Sequence, residues 1–266
     1  MGVWMMSSRI VAIANQKGGV GKTTTAISLG ATLAAYEKRV LLVDLDPQSN
    51  CSSGLGFQFD GTEPTSYELV IGDAAVGATS RATEFPHLSL VPATPHLAGA
   101  EVELVGMVGR EYRLRDALSR EQIAAYDFVL VDCPPSLGLL TLNALAAAHG
   151  LLVPIQCEYF AMEGVSMLMA TVDEVRRFLN PGLTIDGILL TMYDERTNLA
   201  RQVASEVRGV FGDLVFETLV PRNIRLAEAP SFGRPIHAYD LRSRGSQAYL
   251  QLGREYLDRR KRTHVG

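Results

Sequence analysis

The chain has 266 residues, 25 Lys and Arg against 29 Asp and Glu, and 47% hydrophobic content, a balance that reads as globular and leaves room for one α/β domain with a sizeable core. A formal net charge of −4 excludes an indiscriminate polycation, so any nucleic-acid binding has to come from a local patch. No apolar run approaches the roughly 18 residues needed to span a bilayer.

Residues 1–8 lack the basic start and long apolar core of a signal peptide and read as a loose, flexible tail, with residues 9–262 as one domain. An apolar strand is expected over residues 10–14, followed by a glycine-rich turn and a helix over 23–36 with small residues on one side. A second buried strand covers 39–44. The segment 57–85, rich in Gly, Thr, Ser and Ala, reads as a surface excursion. Further strands are expected over 88–91, 128–132, 151–155 and 185–192, with amphipathic helices over 97–108, 112–118, 139–148, 162–179 and 199–211. Short apolar strands separated by helices imply a doubly wound, mostly parallel sheet with helices on both faces. No internal repeat or low-complexity linker breaks the unit.

Three scattered cysteines, Cys51, Cys133 and Cys157, share no C-x-x-C spacing and read as free thiols in a reducing cytoplasm. The isolated histidines, His87, His96, His149, His237 and His264, offer no zinc ligand set. Two basic segments stand out, Arg242 with Arg244 and the run Arg259 to Arg262, the latter reading first as a solvated helix end.

The chemistry concentrates after the first strand, in Lys17-Gly18-Gly19-Val20-Gly21-Lys22-Thr23-Thr24. A buried strand ending in a glycine-rich turn that opens a helix aims backbone N–H groups and the positive helix end at one spot, which suits a polyphosphate. Lys22 would supply charge to the β- and γ-phosphates, and the Thr23 hydroxyl would ligate a magnesium ion, Mg2+. The general pattern G-x-x-x-x-G-K-[ST] is altered at its first position, where Gln16 stands, and an extra lysine, Lys17, precedes the cradle. A carboxylate capping a buried strand is the next requirement, met by Asp132 ahead of Cys133-Pro134-Pro135 in a Walker B pattern. Asp44 and Asp46, two residues apart at the end of the second strand, point to the same side. That strand end is expected to lie beside the phosphate loop.

The variant K-G-G-V-G-K-T-T resembles the deviant Walker A motif of the ParA/MinD group of ATPases. The resemblance implies ATP as ligand, with Lys17 reaching the nucleotide of a second subunit, Asp46 holding the hydrolytic water, and Asp44 near the magnesium water shell. Residues 187–194 with Arg196-Thr197-Asn198, and residues 220–233, are similar to the distal motifs of chromosomal ParA/Soj proteins. That similarity implies that Pro221 and Asn223 pack beside adenine. It also implies that Arg196 and Arg225 belong to a basic surface, assembled across an ATP-bound homodimer, that grips non-specific double-stranded DNA. The family reading is a cytoplasmic, nucleoid-associated chromosome or plasmid partition ATPase whose slow hydrolysis is stimulated by a ParB-type partner.

A MinD-like membrane ATPase is the nearest rival, but Glu255 and Asp258 dilute the charge of the segment around Leu250 and Leu257, which favours a helix packed on the domain and no membrane contact. An iron–sulfur reductase would need cysteines meeting at a dimer axis, and Cys133 beside Asp132 is poorly placed for it. Regulation of replication initiation is compatible with the same ATPase cycle.

Overall fold

A computed structural model describes residues 8–159 and 161–263. Residues 1–7 of the expected tail and His264 lie outside the described residues. Ser8 is tied down, its Oγ donating to the carbonyls of Ile123 at 2.8 Å and Tyr126 at 2.7 Å. Eight strands follow in chain order: β1 (Arg9–Ile13), β2 (Val40–Asp44), β3 (Arg81–Ala82), β4 (Leu88–Val91), β5 (Phe128–Asp132), β6 (Gly150–Gln156), β7 (Thr184–Tyr193) and β8 (Val215–Pro221). They form one sheet in the order β3-β4-β2-β5-β1-β6-β7-β8, parallel throughout except for the β3–β4 edge.

The central strands are continuous apolar runs because both sheet faces are covered. Alternate residues feed two cores: Ile10, Ala12, Leu41, Val43, Val129 and Val131 pack on one face, while Val11, Ile13, Val40, Leu42, Phe128 and Leu130 pack on the other. Helices Leu97–Val105, Leu139–Ala147, Ala161–Phe178 and Asn198–Phe211 contribute to the first core. Helices Lys22–Ala35 and Arg244–Thr263 cover the second, where Tyr249, Leu252 and Tyr256 are buried. The last helix therefore packs on the domain, as its composition implied. Arg259, in the basic run, serves the fold: it donates to the carbonyls of Asp213 at 2.8 Å and Val215 at 2.7 Å and pairs with Glu255.

The sequence reading is corrected in two places. The segment 57–85 is more than a surface excursion, since it carries the helix Ser66–Ile71, whose Leu69 and Val70 are fully buried, and the short helix Val76–Thr79. A capping box starts the first of these, with Thr65 N donating to Glu68 Oε2 at 2.7 Å and Tyr67 N donating to Thr65 Oγ1 at 3.3 Å. Strand β8 was not expected from the sequence, because its apolar Val215, Phe216 and Val220 are interrupted by Glu217 and Thr218, whose backbone N–H groups both donate to Glu255 of the last helix. The end of β2 does lie beside the phosphate loop, as expected, but one strand removed from β1. Strand β5 lies between them, so Asp132 faces Ile13 on one side and Asp44 on the other.

Candidate functional site

The site lies at the carboxyl ends of β1, β2 and β5, where ligands bind in open parallel sheets. Asn15 holds the start of the loop against β6: its Nδ2 donates to Pro154 O at 2.7 Å, and its Oδ1 accepts from Lys17 N at 3.0 Å. Thr191 of β7 holds the middle by donating to Val20 O at 2.8 Å. Gly19 and Gly21 take φ of 74° and 89°, left-handed values that disfavour any residue with a Cβ. The helix Lys22–Ala35 begins at Gly21 with no side-chain cap, so its first-turn N–H groups remain available to an anion. Lys22 is 7% exposed, and its Nζ donates to Lys17 O at 3.0 Å, folding back under the loop. Burial pushes its pKa down, and the charges of Asp132 and Asp46 oppose that shift.

Three carboxylates gather beside this loop, and their surroundings differ. Asp44 is fully buried and fully engaged: Oδ1 accepts from Asp46 N at 3.1 Å, and Oδ2 accepts from Ser52 N at 2.8 Å and Ser52 Oγ at 2.6 Å. Asp46 is 7% exposed, and its Oδ1 accepts from Gln48 N at 2.9 Å. Asp132 is fully buried, and neither of its oxygens has a hydrogen-bond partner; Thr23 lies close enough to favour its charge without completing a bond. Desolvation raises Asp44 from the ordinary 3.8 to about 6, and it also pushes Asp132 well up, with the charge of Asp44 adding to the effect.

Between pH 3.8 and about 6 the folded chain keeps a proton on Asp44 that the unfolded chain has lost, so stability falls as pH rises through that window. An orphaned buried carboxylate next to a threonine hydroxyl is a costly arrangement without a cation, and the hard oxygen donors of Asp132 and Thr23 fit a divalent ion of the magnesium type. The uncapped helix end with Lys22 fits the phosphates that would share that ion.

Lys17 and Glu158, the latter in the turn after β6, form a close ion pair with both side chains partly exposed. The parts played by Glu158, Ser52 and Thr191 were not anticipated from the sequence: Ser52 reaches Asp44 from the short helix that follows β2, while Glu158 after β6 and Thr191 of β7 meet the phosphate loop through the strand order. Cys133, beside Asp132, is fully buried and its thiol pKa is pushed up, so it is an inert neighbour of the site. Among the described residues, no group of His, Cys, Asp and Glu forms a separate metal site.

A family model described as an AAA domain (AAA_31) matches residues 8–185. The chain is 57% identical over 256 residues to the "Chromosome partitioning protein ParA" of Myxococcus xanthus, covering 96% of this chain and 90% of that one. It is 53% identical to the "Sporulation initiation inhibitor protein Soj" of Bacillus subtilis, covering 93% of this chain and 97% of that protein. The chain belongs to the ParA/Soj family of ATPases. A solved structure named cobyrinic acid a,c-diamide synthase, from Mycobacterium smegmatis with a bound ATP analogue and magnesium, superposes with a TM-score of 0.83 at 40% identity, covering 96% of both chains.

The remaining residues implied by likeness to ParA/Soj proteins lie at the β7 and β8 ends of the sheet. Pro221 closes β8, and Asn223 caps the next short helix, its Oδ1 accepting from Arg225 N at 2.8 Å. Arg196 forks onto Asp194 at 2.7 and 2.9 Å, holding that carboxyl down to about 2. Arg225 pairs with Glu228 at 2.8 Å and Asp240 at 3.6 Å. The fold thus brings Lys17, Lys22, Thr23, Asp44, Asp46 and Asp132 together, while Arg196 and Arg225 stand on separate segments of a neighbouring surface.

Proposed function

We propose that this chain is an ATP hydrolase that dimerises in its ATP state, binds DNA without sequence preference, and acts in chromosome or plasmid partition with a ParB-type partner. The observation that supports the reading most is the extra Lys17 at the rim of a phosphate loop that already holds Lys22, with Asp46 and the orphaned Asp132 beside it. The 57% identity to a partitioning protein weighs for partition over the amide-forming name carried by the 40% identical structure.

In this reading the backbone from Gly18 to Thr24 cradles the phosphates, and Lys22 neutralises the β- and γ-oxygens. Asp132 and the Thr23 hydroxyl would hold magnesium, which would supply positive charge to the phosphate oxygens during transfer. Asp44, with both oxygens bonded internally, fixes the turn that carries Asp46. Asp46 orients the attacking water. Lys17 exchanges Glu158 for the triphosphate of a second copy, so triphosphate favours association and diphosphate releases it. Paired subunits double the phosphate contacts made by Arg196 and Arg225, which turns weak binding by one subunit into useful binding by two. Pro221 and Asn223 line the adenine side.

The deciding experiment is duplex-DNA binding with ATP and with ADP, by wild type and by Arg196→Ala and Arg225→Ala. ATP-dependent binding that weakens steeply with salt and is lost in the variants supports the reading. Liposome binding in the absence of DNA binding would overturn it in favour of a membrane ATPase; no helix among the described residues is long and apolar enough to cross a bilayer.

The Asp132 assignment has its own check. Asp132→Asn removes a buried carboxyl whose charged form burial disfavours, so without ligand the variant should gain stability relative to wild type as pH rises and lose that advantage as pH falls and the carboxyl protonates. The melting-temperature gain produced by magnesium and ATP should disappear in the variant. Retention of that gain removes Asp132 from the cation site.

A further inference from the structure

Three adjoining segments make up the surface that carries Arg196 and Arg225: residues 193–198 after β7, 221–228 after β8, and 240–244 before the last helix. Arg222 N donates to Tyr193 O at 3.2 Å, joining the first two, and Leu226 packs against Gly245, joining the second to the third. Together they hold Arg196, Arg222, Arg225, Arg242 and Arg244, along with Asp194, Glu195, Glu228 and Asp240. Every one of these acids is paired with an arginine of the same surface: Asp194 with Arg196, Glu228 and Asp240 with Arg225, and Glu195 with Arg244 at 3.4 Å. The surface is therefore largely self-neutralised, on a chain whose net charge is already negative.

The four acids are not equivalent. Asp194 also accepts from Arg196 N and Asp240 from Arg242 N, so these two shape local turns, while Glu228 accepts from Tyr239 Oη at 3.1 Å and ties its helix to that residue. Glu195 stands apart: its carboxylate meets Arg244 across the surface, with both side chains well exposed, at 67% and 74%. Nothing in the backbone geometry asks for that carboxylate, and an exposed pair of this kind contributes little to folding.

We propose that Arg244 is an additional DNA-phosphate contact and that Glu195 limits the affinity of this surface by competing with DNA for it. The proposal rests on the DNA-binding reading above and deepens it. A phosphate that reaches Arg244 displaces Glu195, so part of each contact is spent on breaking an ion pair, and binding by a single subunit stays weak until two are coupled.

The test uses the full chain with a non-hydrolysable ATP analogue and a fluorescein-labelled duplex of mixed sequence, read by anisotropy between about 50 and 200 mM salt. Glu195→Gln should tighten binding by about threefold to tenfold, and the slope of log Kd against log salt should steepen by about one per subunit, the increment for one more phosphate contact. Arg244→Ala should weaken binding, and Glu195→Gln should add nothing in the Arg244→Ala background. Glu174→Gln, the same charge change on the exposed face of the helix Ala161–Phe178, serves as the control for net charge alone. Wild-type affinity and slope in Glu195→Gln, an equal gain in the Arg244→Ala background, or an equal gain from Glu174→Gln would each overturn the proposal. A wild-type protein that binds no DNA removes the DNA reading and this proposal together, whereas normal wild-type binding with an inert Glu195 removes only the proposal.

Discussion

Asp46→Ala should reduce ATP turnover by about 10²- to 10⁴-fold, the usual span for a group that positions or accepts a proton from the nucleophile, while nucleotide binding and ATP-driven association persist. The geometry supports that separation. The phosphate cradle depends on Asn15, Thr191 and the glycines, none of which touches Asp46, and the turn after β2 is held chiefly by Asp44 through Ser52 and Asp46 N. Removing the Asp46 carboxylate loses one acceptor, for Gln48 N, and one of the charges that favour protonated Lys22. Phosphate release and the affinity for a fluorescent ATP analogue, measured on the same preparation, give the two readouts. A variant that no longer binds nucleotide, or that turns over at the wild-type rate, refutes the role given to Asp46.

Lys17→Ala should leave ATP binding by one subunit largely intact and abolish ATP-driven association. In a single subunit the Lys17 ammonium is already satisfied by Glu158, and the backbone carbonyl of residue 17, which receives Lys22 Nζ, survives the substitution. What disappears is the cation able to bridge two subunits through triphosphate, and without it the phosphates, only partly neutralised within each subunit, would repel across the interface. Light scattering with and without ATP measures the outcome. Wild-type association in Lys17→Ala takes this lysine out of the interface, and it would point to a different gate for DNA occupancy. Because Glu158 also has to give up Lys17, the midpoint concentration for association should rise with salt less steeply than a bare phosphate–lysine contact would require.

The two substitutions separate chemistry from assembly. DNA occupancy in the proposed cycle follows association, so Asp46→Ala should hold the protein on DNA while Lys17→Ala should keep it off. Neither effect needs a change in the fold, since the loop is held by contacts to β6 and β7 and the Asp46 turn by Asp44 and Ser52, none of which uses either side chain.

Much of this site was legible in the sequence because its pieces are contiguous. Lys17 to Thr24 is a single run in which each residue has a stated task, and the glycines that it demands do take left-handed φ at positions 19 and 21. Asp44, Asp46 and Asp132 could be picked out as carboxylates ending buried strands. The alternation of apolar strands and amphipathic helices gave the parallel sheet, because burial on both faces writes itself as uninterrupted Val, Leu and Ile. Residues whose parts come from distant segments were another matter. Strand β8 was invisible because Glu217 and Thr218 break its apolar pattern, and their partner, Glu255, lies in the last helix.

The sequence by itself determined that a phosphate loop follows the first strand, that an extra lysine precedes it, and that acidic side chains cap neighbouring strands. Tertiary structure decided which acid is open to a cation. Asp44 and Asp132 look alike as strand ends, but β5 sits between β1 and β2, and Ser52 reaches Asp44 alone, so one carboxylate is fully bonded and the other is left bare. The same holds for Lys17 and Glu158 and for Arg244 and Glu195: hydrogen bonds and ion pairs act over a few ångströms, and only the folding of remote segments onto one sheet edge brings those groups within that range.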